Sequence, residues 1–127
     1  MNAIIAAVHV IEAWYELARF DCATAISGRP PLLDRGKLPV TTQEVQIDPS
    51  AIISALTLAA CLYWKPVLCL QRAACLTTLL RRRQIAARMV IGYRPCPFIA
   101  HSWVEVDGRV IDGSDGYAER LTTLHVS

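Results

Sequence analysis

Residues 69–113 read CLQRAACLTTLLRRRQIAARMVIGYRPCPFIAHSWVEVDGRVIDG. Three local patterns follow one another in this stretch. Leu70, Ala73, Ala74, Leu76, Leu79 and Leu80 recur at helical spacing, predicting a helix over about 68–83, with Arg81, Arg82 and Arg83 suited to the negative end of its dipole. Residues 87–93 then predict a short strand. The run HSWVEVDGRVID alternates about Asp107-Gly108, a dipeptide suited to the type I′ turn of a two-residue hairpin. A helix leading into about three antiparallel strands predicts an α+β fold, with N-terminal helices packed on a small antiparallel sheet.

The hairpin allows geometry to be read from sequence. With Asp107 and Gly108 as the loop, Val106 faces Arg109, Glu105 faces Val110, Trp103 faces Asp112 and His101 faces Ser114. Side chains alternate along a strand, so His101, Trp103 and Glu105 are expected on one face with Val110, Asp112 and Ser114. Asp112 becomes a diagonal neighbour of His101, at roughly 7 Å between backbone positions, where its carboxylate can fix the imidazole tautomer. Trp103 reads as core or as a wall over that imidazole, and Glu105 as a salt-bridge or surface residue.

Cys69 follows Pro66 at the first turn of the helix. Free backbone N–H groups and the positive dipole end favour a thiolate there, and the same groups can hold an oxyanion. If the His101 face packs inward on this helix, Cys69, His101 and Asp112 form a nucleophilic triad for acyl transfer. The competing reading makes Cys69 one of five buried thiols. Cys22, Cys61, Cys69, Cys75 and Cys96 are odd in number and contain no C-x-x-C pair, which argues against a disulfide framework or a zinc ribbon. Four of the five are expected to be small buried hydrophobes. Cys96 and His101 have no second pair to complete a zinc site, and no metal or cofactor is expected.

The rest of the chain predicts two further helices. Over 4–26, Ile4, Val8, Ile11, Tyr15, Ala18 and Cys22 share one face, which is expected to be buried, with Glu12, Glu16 and Arg19 leaving it. Residues 27–39, SGRPPLLDRGKLP, end that helix, and TTQEVQI at 41–47 is left without a conformation. Asp48 and Pro49 read as an N-cap and first helical residue of a helix running to about Tyr63. Pro66 separates it from the third.

With 127 residues, 54% hydrophobic and 19% charged, the chain suits one compact domain over 1–127, helical over 1–64 with its catalytic core at 65–127. A net charge of +2 gives no general argument for nucleic acid. The first ten residues lack a basic n-region and acidic residues follow, so no signal peptide is expected. The uncharged run at 51–64 is short of the roughly 20 residues a membrane span needs. These features predict a cytoplasmic protein. There are no internal repeats.

The motifs together resemble the transglutaminase-like superfamily, and within it the leader peptidases of lasso peptide biosynthesis. The resemblance rests on Cys69-Leu70 at a helix start, the Leu79–Arg83 run, the strand at 87–92 and the hairpin at 100–108. It covers about 45 residues. Ser102 stands where alanine is usual, Gln84 where a glycine is common, and the first 60 residues match only in character. The resemblance implies a papain-like triad of Cys69, His101 and Asp112. It implies removal of the leader from a ribosomally made precursor peptide, before a separate ATP-dependent lasso cyclase closes the ring. It also implies delivery of the leader by a separate, PqqD-like recognition protein, docked on the N-terminal helix or the sheet.

Two other functions fit the same residues. One is transglutamination or amide hydrolysis on another protein through the same acyl-enzyme. The other is a binding module using Arg81, Arg82, Arg83, Arg88 and Arg94, although no aromatic residues interleave with them and a solvated helix end explains them more simply.

Overall fold

The computed structural model describes residues 3–28, 49–83, 85–95, 98–107, 109–112 and 122–126. Three helices, α1 (Ala3–Ser27), α2 (Pro49–Cys61) and α3 (Cys69–Arg82), precede four strands, β1 (Ala87–Pro95), β2 (Phe98–Val106), β3 (Arg109–Asp112) and β4 (Thr122–Val126). The strands form one antiparallel sheet in the order β3-β2-β1-β4. The α+β expectation holds. The fourth strand, β4, adds to the three expected: it pairs with β1 at the far edge, a non-local contact that its five-residue sequence TTLHV does not announce.

Helix ends follow local chemistry. Gly28, at φ 69°, closes α1 in the left-handed conformation and donates its N–H to Thr24 O at 2.8 Å. Pro49 opens α2, where its missing N–H is no loss; Asp48, its expected cap, lies outside the described residues, as do 29–47. α2 ends at Cys61, two residues before the predicted end. Leu62 and Tyr63 close its last turn by donating to Ala59 O and Ala60 O. Leu68 is extended (φ −83°, ψ 166°), so α3 begins at Cys69.

α3 is the central element. Ala73, Ala74, Cys75, Leu76, Leu79 and Leu80 join Ala13, Leu17 and Phe20 of α1, Ile52, Leu56 and Ala59 of α2, and Ala87, Met89 and Val104 of the sheet in one core. Met89 pairs with Val104, so their shared face is the one covered by the helices. The neighbouring pair, Val90 and Trp103, forms a smaller cluster with Val110 on the opposite face.

The expected buried face of α1 is corrected. Ile4, Val8, Ile11 and Tyr15 are exposed, Ile11 at 68% and Tyr15 at 61%, while Glu16 is 1% exposed beside Ala13, Leu17 and Phe20. Glu16 pairs with Arg82 and with Arg19, the latter at 3.0 Å. Glu12 pairs with Arg83 at 2.6 Å, and Arg83 also contacts His9 Nδ1 at 2.8 Å. The reason is electrostatic. α1 is apolar on several sides, so periodicity leaves its rotation open; the arginines ending α3 draw the carboxylates inward, where a buried charge needs a partner.

Candidate active site

Cys69 is the first residue of α3 and half-buried. No side chain caps this helix start, so the first-turn N–H groups remain available to an acceptor presented beside the thiol. Of the other cysteines, Cys75 is buried, and Cys22 and Cys61 are exposed, against the expectation that they lie in the core. Cys96 lies outside the described residues.

The segment leading to Cys69 is fastened by Asp21 of α1. Its carboxylate accepts from Tyr63 Oη, from Lys65 Nζ at 2.7 Å and from Gln71 Nε2 at 3.0 Å; Gln71 also donates to Leu17 O. Burial pushes the Asp21 carboxyl up, but these donors outweigh it and hold it below its ordinary value. Tyr63 is pushed up to about 12, by burial and by the carboxylate it serves. Sequence reading missed Asp21, since its partners lie 42 and 50 residues away.

His101 lies in β2, half-buried, its ring stacked on Trp103 with centroids 6.4 Å apart. Trp103 is buried and donates its indole N–H to Glu105 Oε1 at 3.0 Å, which assigns Glu105 to the tryptophan. The three share a face, as read from sequence. That face, however, is the Trp103 side of the sheet; the side packed on α3 carries Val104. The inward-facing His101 on which the geometric argument for the triad depended is therefore not what the sheet presents.

The hairpin register agrees with expectation for Val106 with Arg109 and Glu105 with Val110, and Asp107 has the positive φ, 53°, of a type I′ turn. It then shifts. A bulge between Val104 and Glu105 sets Asp112 opposite Val104 instead of Trp103. This corrects the expected face of Asp112, because one extra residue on a strand reverses every side chain beyond it. Asp112 reaches α3, where Oδ2 accepts from Arg72 Nε at 2.9 Å and Oδ1 from Arg72 Nη2 at 3.2 Å. Arg72 Nη2 also donates to Thr57 Oγ1 of α2 at 2.9 Å.

These contacts orient α3 along the hairpin. Arg81 Nε donates to Ala87 O, and Ala87 pairs with Val106; nearer the start of the helix, Arg72 meets Asp112, which pairs with Val104. The structure thus brings Asp112 to the helix of Cys69, while His101 shares the Trp103 face of the sheet.

The arginines considered as a basic patch are largely occupied. Arg82 and Arg83 pair with Glu12 and Glu16, and Arg81 is held by Ala87 O. Among the described residues no group of three metal-ligating side chains occurs, and no helix is long and apolar enough to cross a membrane.

Comparison with known proteins supplies the family. The sequence profile of the transglutaminase-like superfamily matches residues 5–126. The chain belongs to that superfamily. It is also 41% identical over 56 residues to the microcin J25-processing protein McjB of Escherichia coli. That match takes in 44% of this chain and 27% of the relative. No solved structure matches significantly.

Proposed function

We propose that this protein is a cysteine peptidase that removes the leader from a ribosomally made lasso precursor peptide. The observation carrying the proposal is the placement of Cys69 as the uncapped first residue of the central helix, in a transglutaminase-like chain that is 41% identical over 56 residues to a microcin J25-processing protein. In the first step the Cys69 thiolate attacks the scissile carbonyl carbon, and first-turn N–H groups receive the developing oxyanion. The His101 imidazolium protonates the departing amine, which frees the core peptide and leaves a thioester to the leader. Water, deprotonated by the imidazole, then attacks the thioester and releases the leader acid and the thiol. Asp112, held by Arg72 on the helix of Cys69, is the supporting third residue of the proposal. The reading requires the His101 ring to reach Cys69 Sγ during proton transfer.

A PqqD-like recognition protein delivers the leader, and a separate cyclase takes the product; both act with this protein in the cytoplasm, where the precursor is made. The exposed stripe of Ile4, Val8, Ile11 and Tyr15 is the surface for the recognition protein. Incubating precursor, recognition protein and this chain tests the reading by mass spectrometry. Loss of a mass equal to the leader is expected from wild type, none from Cys69→Ala or His101→Ala, and slowing by about 10²- to 10⁴-fold from Asp112→Ala. Cleavage by Cys69→Ala at the wild-type rate would falsify the mechanism. Loss of ammonia with an intact leader identifies a transglutaminase-type reaction instead.

A further inference from the structure

We propose that Arg72 is a positioning residue of the Cys69 site, clamping Asp112 and its hairpin to the helix that presents the thiol. The inference rests on the reading of Cys69 as the nucleophile. Arg72 is three residues after Cys69 on α3, the spacing at which helical side chains are neighbours. Its guanidinium grips both oxygens of Asp112 in a fork, at 2.9 and 3.2 Å, and spends a further hydrogen bond on Thr57. One side chain thereby ties α2, α3 and β3 together one turn from the thiol.

Two further observations separate this from an ordinary surface ion pair. Arg72 and Asp112 are only 26% and 16% exposed, so water screens them weakly and the fork holds its geometry. The pairing also depends on the bulge between Val104 and Glu105. A regular two-residue hairpin would send Asp112 to the Trp103 side, away from Arg72. The irregularity turns the carboxylate toward the helix of the nucleophile, and bulges commonly re-aim a side chain in this way. Arg72, one turn from Cys69 on α3, also balances the charge of Asp112. Without it, the Asp112 carboxylate loses the counter-ion that ties it to the helix of Cys69.

The test uses the full chain and reads the thiol directly. Iodoacetamide labelling is followed by peptide-level mass spectrometry at neutral pH, with exposed Cys22 and Cys61 as references in the same molecule. Arg72→Gln is expected to slow Cys69 labelling about threefold relative to those references, since the thiolate loses a cation one turn away and gains an unbalanced carboxylate. Arg72→Lys keeps the charge and restores that labelling rate. It cannot form the fork, so leader cleavage stays about tenfold down in kcat with KM unchanged. Circular dichroism and thermal melting confirm that each variant is folded; if Arg72→Gln fails to fold, Thr57→Val, which removes one arm of the clamp, replaces it and is expected to give a smaller change in the same direction. An unchanged Cys69 labelling ratio in the folded variant, or wild-type kcat in Arg72→Lys, overturns the proposal. Cleavage by Cys69→Ala overturns the peptidase reading instead, and leaves the labelling result to decide on Arg72.

Discussion

Cys69 and Cys75 sit six residues apart on the same helix and differ in burial, Cys69 being half-buried. Cys75 is buried among apolar side chains, and burial, with the Glu16 carboxylate adding to it, pushes its thiol up to about 12. It is expected to resist alkylation at pH 8 in the native protein and to label fully in denaturant, while Cys22 and Cys61 label in both; peptide-level mass spectrometry reads all of them. Acidic residues set the pH limits of the fold. Burial raises Glu12, but Arg83 and Arg82 outweigh it and hold it below its ordinary 4.5, while Asp21 is held below 3.8. A depressed folded value gives stability that is fully present above the ordinary value and lost as pH falls through the folded one. Tyr63 has the opposite sign: its contribution is present below 10 and is lost as pH rises through about 12. Denaturation midpoints are therefore expected to be flat near neutrality, to fall below about pH 4.5 and to fall again above about pH 9, where buried Cys75 resists ionisation first and Tyr63 follows above about pH 10. Asp21→Asn should weaken both limbs, because it removes the carboxylate and the partner of Tyr63.

At the scale of elements, the rotation of α1 is open to direct test. Leu17 is fully buried in the shared core, whereas Ile11 is exposed. Leu17→Ala is expected to cost about 2–5 kcal/mol, and Ile11→Ser to change stability by less than about 0.5 kcal/mol, both measured by chemical denaturation. The reverse order would restore the face that apolar spacing suggests. The hairpin gives a comparable lesson. Asp107-Gly108 was readable as a turn because its preference is local, and the first two residue pairs follow from it. The bulge beyond them was not readable, since pairing with β1 and contact with α3 select it.

For the whole molecule, the exposed stripe on α1 provides a test of the proposed docking of a recognition protein. Tyr15→Asp is expected to leave the melting temperature within a few degrees of wild type and to abolish the stimulation of cleavage by the recognition protein. Full stimulation in that variant would move the docking surface elsewhere. The Glu12 and Glu16 pairs with Arg82 and Arg83 join the N-terminal helix to the central one, so the part read as helical and the part read as catalytic share one core.

What could be read without coordinates was whatever depends on near neighbours in the chain. The three helices, the hairpin turn and the place of Cys69 at a helix start follow from caps, prolines, periodicity and a turn dipeptide. Which face of α1 is buried, where β4 pairs, that Asp21 braces the approach to Cys69, and that Asp112 belongs to Arg72 required the fold. Each depends on a partner distant in sequence, and such partners are chosen by the competition to bury apolar surface while leaving no charge unpaired. Cys69 keeps its local distinction as the uncapped start of the central helix; its surroundings are the work of the tertiary structure.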